Sequence, residues 1–75
     1  MTAHRFTEGR MSAMPFEGIS GGEWRLYGPG GRLILSAPVS KGRAIFKPPS
    51  TGLFIWTRTA EGEAVESGTI EVLPD

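Results

Sequence analysis

Apolar and polar residues alternate in short runs from residue 21 to the end of the chain. The runs EWRLY (23–27), RLILS (32–36), RAIFK (43–47), LFIWTRT (53–59) and TIEVL (69–73) each place their main apolar residues on one face. A period of two is typical of a β-strand with one buried face. We therefore predict a strand at each run, and a short further strand at AVE (64–66), with Gly68 marking a bulge or bend.

Turn signals separate these runs at regular intervals. GPGG (28–31) and APVSKG (37–42) combine Pro, which presets φ, with Gly, which tolerates positive φ, and AEGE (60–63) also contains Gly. No 11-residue window carries a helical stripe, and 11 Gly and 6 Pro do not fit helix interiors. The spacing predicts an all-β fold, a small sandwich of about six short antiparallel strands. A small SH3-like or OB-like barrel is the alternative.

The first 20 residues show neither the helical nor the strand period. Their larger apolar residues are scattered among charges and interrupted by Gly and Pro: Phe6, Met11, Met14, Phe16 and Ile19. We predict that residues 1–20 form an extended N-terminal arm and that residues 21–75 form the β-sandwich body. Deletion of residues 1–19 is then expected to leave the body folded.

Some large apolar residues fall on the face opposite the main apolar set of their strands. These are Ile34, Ile45 and Ile55, and Tyr27 joins them. The pattern predicts that they lie outside the main core. They then either form a second contact surface or are scattered surface hydrophobes, which are common on soluble domains.

Composition limits how such a chain can be stabilised. The 75 residues are enough for one small domain, and they include no Cys and one His. Disulfides and a His/Cys metal cluster are therefore excluded, which leaves association as a source of added stability. Net charge is zero but uneven, because all eight Lys and Arg lie before the acidic segment 61–75. This asymmetry suits head-to-tail contacts between copies, or else a solvated acidic surface.

Candidate catalytic and ligand-binding motifs are weak throughout the chain. The glycine-rich stretches SGGEW and GPGG lack the following Lys-Ser/Thr of a phosphate-binding loop. His4 is the lone histidine, and the acidic cluster around Glu61, Glu63 and Glu66 offers too few ligands for Ca²⁺. We predict no enzyme activity, cofactor or metal. No apolar run approaches a membrane span and the N-terminus is not a signal peptide, so we expect no membrane association or secretion.

Aromatic and basic residues alternate in two of the strands, as in a platform that stacks nucleic-acid bases. The residues concerned are Trp24, Arg25, Tyr27, Arg32, Trp56 and Arg58. Both tryptophans fall on core-facing positions, however, and the net charge is zero. We predict no nucleic-acid binding, and a barrel that binds single strands is the least favoured alternative.

The stretch STGLFIW (50–56) has the spacing Ser50-x-Gly52-x-Phe54-x-Trp56. It resembles the immunoglobulin-type corner that leads into strand F, Asp-x-Gly-x-Tyr-x-Cys. The resemblance implies an Ig-like sandwich in which Phe54 lacks the tyrosine hydroxyl and Trp56 replaces the disulfide cysteine. Trp24 is then the expected packing partner of Trp56 across the sandwich.

Size, corner, arm and lack of a secretion signal together resemble the small Ig-like decoration (cement) proteins of tailed-phage capsids, and minor virion proteins of tails and connectors. The resemblance implies a structural virion protein that binds the major capsid protein or another virion protein, and that self-associates, often as trimers. The arm residues expected to contact the partner or a neighbouring copy are Phe6, Arg10, Met11, Met14 and Phe16. The alternative is a soluble regulatory or inhibitory protein-binding module.

Overall fold

The computed structural model describes residues 4–75 as seven β-strands and one 3-10 turn. The strands are β1 (His4–Thr7), β2 (Ser12–Pro15), β3 (Glu23–Tyr27), β4 (Leu33–Pro38), β5 (Arg43–Phe46), β6 (Gly52–Ala60) and β7 (Glu63–Leu73), and the 3-10 turn spans Pro29–Gly31. The predicted all-β fold is confirmed. The two strands expected at 64–66 and 69–73 are joined in the single long strand β7.

The strands form two sheets. The large sheet has the order β1-β7-β6-β3-β4, and the small sheet pairs β2 with β5. Neighbours are antiparallel except β1, which runs parallel to β7. The expectation of antiparallel strands alone is therefore wrong at this one pair. Two facing sheets are compatible with the small sandwich that the turn spacing predicts.

The core draws on both sheets. Its buried members are Met14, Phe16, Trp24, Leu26, Ala37, Val39, Ala44, Phe46, Phe54, Trp56, Ile70 and Val72. Aromatic rings join the layers, since Trp24 of β3 lies 4.6 Å from Phe46 of β5, centroid to centroid. The indole N–H groups of Trp24 and Trp56 have no hydrogen-bond partner within residues 4–75. A buried unpaired donor costs about 1–3 kcal/mol, so apolar burial must outweigh both.

Residues 4–16 are part of the sandwich, so the predicted extended arm is wrong for this segment. Strand β1 extends the large sheet along β7, and β2 supplies half of the small sheet. Met14 and Phe16 keep only 2% and 5% of their surface exposed. Strand β1 holds one large apolar residue, Phe6, and β2 holds one, Met14, so neither shows an apolar period. Their backbone pairing depends on β7 and β5, which are distant in sequence.

Two register shifts decide which side chains face outward. One lies between Leu26 and Tyr27, where Leu33 pairs with Tyr27 and Ile34 is the extra residue of β4. The other lies between Arg58 and Thr59, opposite β7. Gly68 pairs in regular register with Trp56, so the predicted bulge is not at Gly68. Bulges add one residue to one strand and so reverse the alternation beyond them.

Candidate functional site

Three exposed side chains and one half-buried tyrosine form an apolar strip on the outer face of the large sheet. Leu53 and Ile55 of β6 point outward because Phe54 and Trp56 occupy the inner face. Tyr27 pairs with Ile55 on one side and with Leu33 on the other, which extends the strip across three strands. Leu53, Ile55 and Leu33 are 69%, 57% and 50% exposed. We call Tyr27, Leu33, Leu53 and Ile55 the apolar strip.

The apolar strip borders a shallow groove. The segment 28–31, which contains the 3-10 turn, forms one wall, and Tyr27, Leu53 and Ile55 form the other. The groove encloses about 450 Å³ and is lined mainly by carbon atoms. Its walls are strands and a tight turn, so little of the backbone around the groove would have to become ordered when a partner binds.

Two ion pairs lie beside the apolar strip. Arg5 of β1 binds Glu71 at 3.0 Å, in the row of residues that contains Leu53. On the other side of the strip, Arg25 donates to the Glu23 carboxylate. Hydrogen bonds from the guanidinium to Glu23 and to Tyr27 raise the pKa of Arg25. These two pairs add no net charge to the outer face, whereas Arg32, which precedes Leu33, is exposed and forms no ion pair within residues 4–75.

Sequence reasoning missed Leu33 and Leu53 as surface residues. Leu33 was expected on the core face with Leu35, but the bulge at Ile34 turns it outward while Leu35 still pairs with Leu26. Leu53 could have been found, because it alternates with the expected core residue Phe54. The predicted exposure of Ile55 is confirmed, and Ile34 and Ile45 are also exposed, at 39% and 50%.

Three of the five predicted partner-binding residues are packed into the fold. Met14 and Phe16 are buried in the core, and Phe6 is half-buried with its ring 5.0 Å from that of Phe46. Their assignment as exposed arm contacts is wrong for Met14 and Phe16. The reason is that β2 covers the open side of the core, where its apolar residues contribute more than they would on a free arm.

Arg10 and Met11 lie on the surface between β1 and β2. Arg10 donates to the carboxylate of Asp75 at 3.0 Å, which fastens the end of β1 to the C-terminal residue. Met11 is 68% exposed. These two residues remain accessible to a partner, and their role in binding stays a prediction.

The four corner and core residues lie where the sequence placed them. Gly52 begins β6 at φ 133°, and Phe54, Trp56 and Trp24 are all buried. The expected packing of Trp24 against Trp56 across the sandwich is wrong, since both belong to adjacent strands of the large sheet. Trp56 instead meets the Phe16 ring edge-on at 5.4 Å.

The aromatic platform considered for nucleic acid is not assembled on one face. Trp24 and Trp56 are inside, so Tyr27 is the aromatic member of that set on the outer face, where Arg25 lies beside it. Arg58 donates to Glu66 at 2.6 Å and lies over the Phe16 ring.

Within residues 4–75, no three His, Cys, Asp or Glu side chains are grouped closely enough to hold a metal ion. In the same part of the chain, no helix has the length and apolar character needed to cross a membrane. The apolar strip is therefore the feature on which we base a functional hypothesis. No protein-family model matches the chain, and neither a curated protein nor a solved structure of significant similarity is found.

Proposed function

We propose that this chain is a non-catalytic structural protein whose apolar strip docks onto a partner protein of a virion lattice. The observation that carries the proposal is the strip itself. Large apolar side chains on adjacent strands are exposed together, and the ion pairs Arg5–Glu71 and Arg25–Glu23 lie beside them. Contiguous exposed apolar surface on a small domain marks an interaction site.

The free energy gained by burying the apolar strip is in the range that weak docking requires. Fully burying one Leu or Ile side chain contributes about 1.5–3 kcal/mol. Leu33, Leu53 and Ile55 are already partly covered, so burying their remaining surface contributes roughly 3–5 kcal/mol in total by the same scale. That alone gives weak binding after the entropic cost of association. Repetition over a lattice multiplies the effect, because linked sites act at high effective concentration.

An immunoglobulin-like topology of the variable type is part of the proposal. The order β7-β6-β3-β4 supports it, since G, F, C and C′ are neighbours in that sheet of a variable-type domain. The pairing of β2 with β5 fits strands B and E. Gly52, Phe54 and Trp56 then lie at the start of strand F, and Trp24 lies in strand C, where the family has its buried tryptophan.

The virion assignment rests on the resemblance to capsid decoration proteins, with one change of binding mode. The outer face of the large sheet replaces the buried Met14 and Phe16 as the principal contact. We propose that the occupant is an apolar, uncharged surface of the major capsid protein or of another virion protein. Arg10 and Met11 remain available at the opposite side of the body as secondary contacts.

Co-sedimentation tests the proposal. The tagged protein is produced in cells of its own source. Their lysate is separated on a gradient, and the fractions are blotted for the tag. Wild-type protein is expected with megadalton particles. Leu53→Thr/Ile55→Thr is expected to move to the top of the gradient with its melting temperature nearly unchanged, because both side chains are exposed and Thr favours strands. Leu73→Thr is the control, since Leu73 is 42% exposed but is not a member of the apolar strip.

A small discrete complex in the gradient would overturn the lattice assignment and favour the regulatory or inhibitory module. Co-sedimentation of Leu53→Thr/Ile55→Thr at the wild-type level would overturn the apolar strip as the contact. We do not propose nucleic-acid binding. Salt-sensitive binding to a labelled oligonucleotide would contradict that choice.

A further inference from the structure

Two hairpin turns hold charged residues in a backbone conformation that favours glycine. Lys41 and Glu61 have φ values of 55° and 53°, and within residues 4–75 they are the non-glycine residues with positive φ. Each precedes a glycine in a two-residue turn, where Asn-Gly or Asp-Gly is the favoured pair. The left-handed conformation is sterically unfavourable for an L-residue, because its Cβ lies too close to the following carbonyl oxygen. The chain therefore holds opposite charges at two turn tips where Asn would be more stable.

Lys41 belongs to a basic groove on the outer face of the small sheet. Arg43 and Ile45 form a ridge between two adjoining hollows of about 280 and 300 Å³. Pro38 and Lys41 line one hollow, and Met11 lines the other. Neither Lys41 nor Arg43 takes part in an ion pair within residues 4–75. We call Met11, Pro38, Lys41, Arg43 and Ile45 the basic groove.

Glu61 belongs to an acidic hairpin at the far end of β6 and β7. Strand β1 pairs with β7 from Ile70 to Leu73, so residues 63–67 of β7 have one free edge. Residues 61–65 are all exposed, and Val65 shows 50% of its surface. Glu61 and Glu63 have no ion-pair partner in the described part of the chain. We call residues 61–65 the acidic hairpin.

We propose that the acidic hairpin of one copy docks in the basic groove of a second copy. Each surface has two charged side chains without a partner, and the two sets are opposite in sign. Val65 then covers the exposed carbon atoms of Ile45. The contact joins two different surfaces, so every copy keeps one free groove and one free hairpin. Contacts of this type build closed rings or open chains.

This contact is independent of the apolar strip, which lies on the other sheet. Exposed ion pairs contribute little binding free energy, so the association is weak in dilute solution. It is also weakened by salt, because the charges are screened over about 10 Å at 0.1 M. On a lattice, the same contact would link neighbouring copies that are already held close together.

Sedimentation velocity of the full chain at low and high salt tests the proposal. Wild-type protein is expected to associate with increasing concentration at low salt and to dissociate at high salt. Lys41→Glu/Arg43→Glu and Glu61→Lys/Glu63→Lys are each expected to remain monomeric. In an equimolar mixture of the two variants, the intact acidic hairpin of the groove variant meets the intact basic groove of the hairpin variant. The two reversed surfaces are also complementary, so the mixture is expected to associate with the two variants alternating.

Combining all four substitutions in one chain restores complementarity with the signs exchanged, and this variant is expected to associate again. The charge-matched control for the groove variant is Arg5→Glu/Arg32→Glu, which changes net charge equally on the large sheet and keeps association. Monomeric wild-type protein at its highest soluble concentration would overturn the proposal. So would a mixture, or a fourfold variant, that stays monomeric.

Lys41→Asn/Glu61→Asn tests the same contact with substitutions that are expected to keep the protein folded. Asn is favoured in the left-handed conformation, so this variant is expected to melt at a higher temperature than wild type. Loss of one charge from each surface is expected to weaken association by about tenfold, which corresponds to about 1.4 kcal/mol. Turns with a purely structural role would give the higher melting temperature with association unchanged, which would contradict the proposal.

Discussion

Gly68→Ala is expected to destabilise the sandwich because the Trp56 ring occupies the space of the new methyl group. A Cβ atom built on Gly68 lies 2.7 Å from Cζ2, 2.8 Å from Cε2 and 2.9 Å from Nε1 of Trp56. Ordinary contacts between such atoms are about 3.5–4.0 Å. The indole cannot retreat freely, because Trp56 is buried and its ring packs edge-on against Phe16.

The sign of the effect makes the test decisive. A glycine replaced by alanine at an unstrained position usually stabilises by about 0.4–1 kcal/mol through the unfolded chain. Overpacking a core costs about 1–3 kcal/mol. The net loss is therefore up to about 2.5 kcal/mol, or a fall of up to roughly 10–20 °C in melting temperature for a domain of this size. Urea titration followed by tryptophan fluorescence, together with thermal melts, measures both quantities.

Gly28→Ala is the matched control. Gly28 has extended backbone, at φ −91° and ψ −166°, and the nearest atom to its added Cβ is the end of the exposed Ile34 side chain, at 3.0 Å. That side chain is able to move, so the control is expected to change stability by less than 1 kcal/mol in either direction. A Gly68→Ala protein as stable as wild type would refute the steric argument.

A double-mutant cycle assigns the loss to the indole. Trp56→Phe replaces the indole by a smaller ring and also removes a buried unpaired N–H. In that background Gly68→Ala is expected to cost less than in wild type, with a coupling free energy of about 1 kcal/mol or more. Equal costs in both backgrounds would show that the loss arises elsewhere, for example from strand pairing.

The remaining predictions concern core formation. Deletion of residues 1–19 is expected to unfold the chain by circular dichroism, because it removes two strands; a folded truncation would restore the arm hypothesis. Met14→Ala is expected to cost about 2–5 kcal/mol in urea titration, whereas Met11→Ala, at an exposed site, should cost less than 0.5 kcal/mol. Gly22→Ala places a Cβ against a backbone carbonyl oxygen of β6 and should lower the melting temperature more than Gly21→Ala, which has positive φ but open space; equal losses would refute this.

Strand content and inner faces could be predicted from the sequence because they depend on short-range alternation. Trp24, Phe54 and Trp56 lie at alternate positions of their runs, and all are buried. Exposure of Ile55 follows from the same period of two. The all-β class also follows, since glycine and proline recur too often for helices and mark the turns instead.

Tertiary structure alone decided the pairing and the surfaces. Strands β1 and β2 each hold a single large apolar residue and so show no period, and they exist because β7 and β5 offer hydrogen-bonding partners far along the chain. The bulge at Ile34 turns Leu33 outward and completes the apolar strip, whereas strict alternation had placed Leu33 on the core face. Local sequence sets which face of a strand is apolar, whereas register and long-range pairing determine what that face meets.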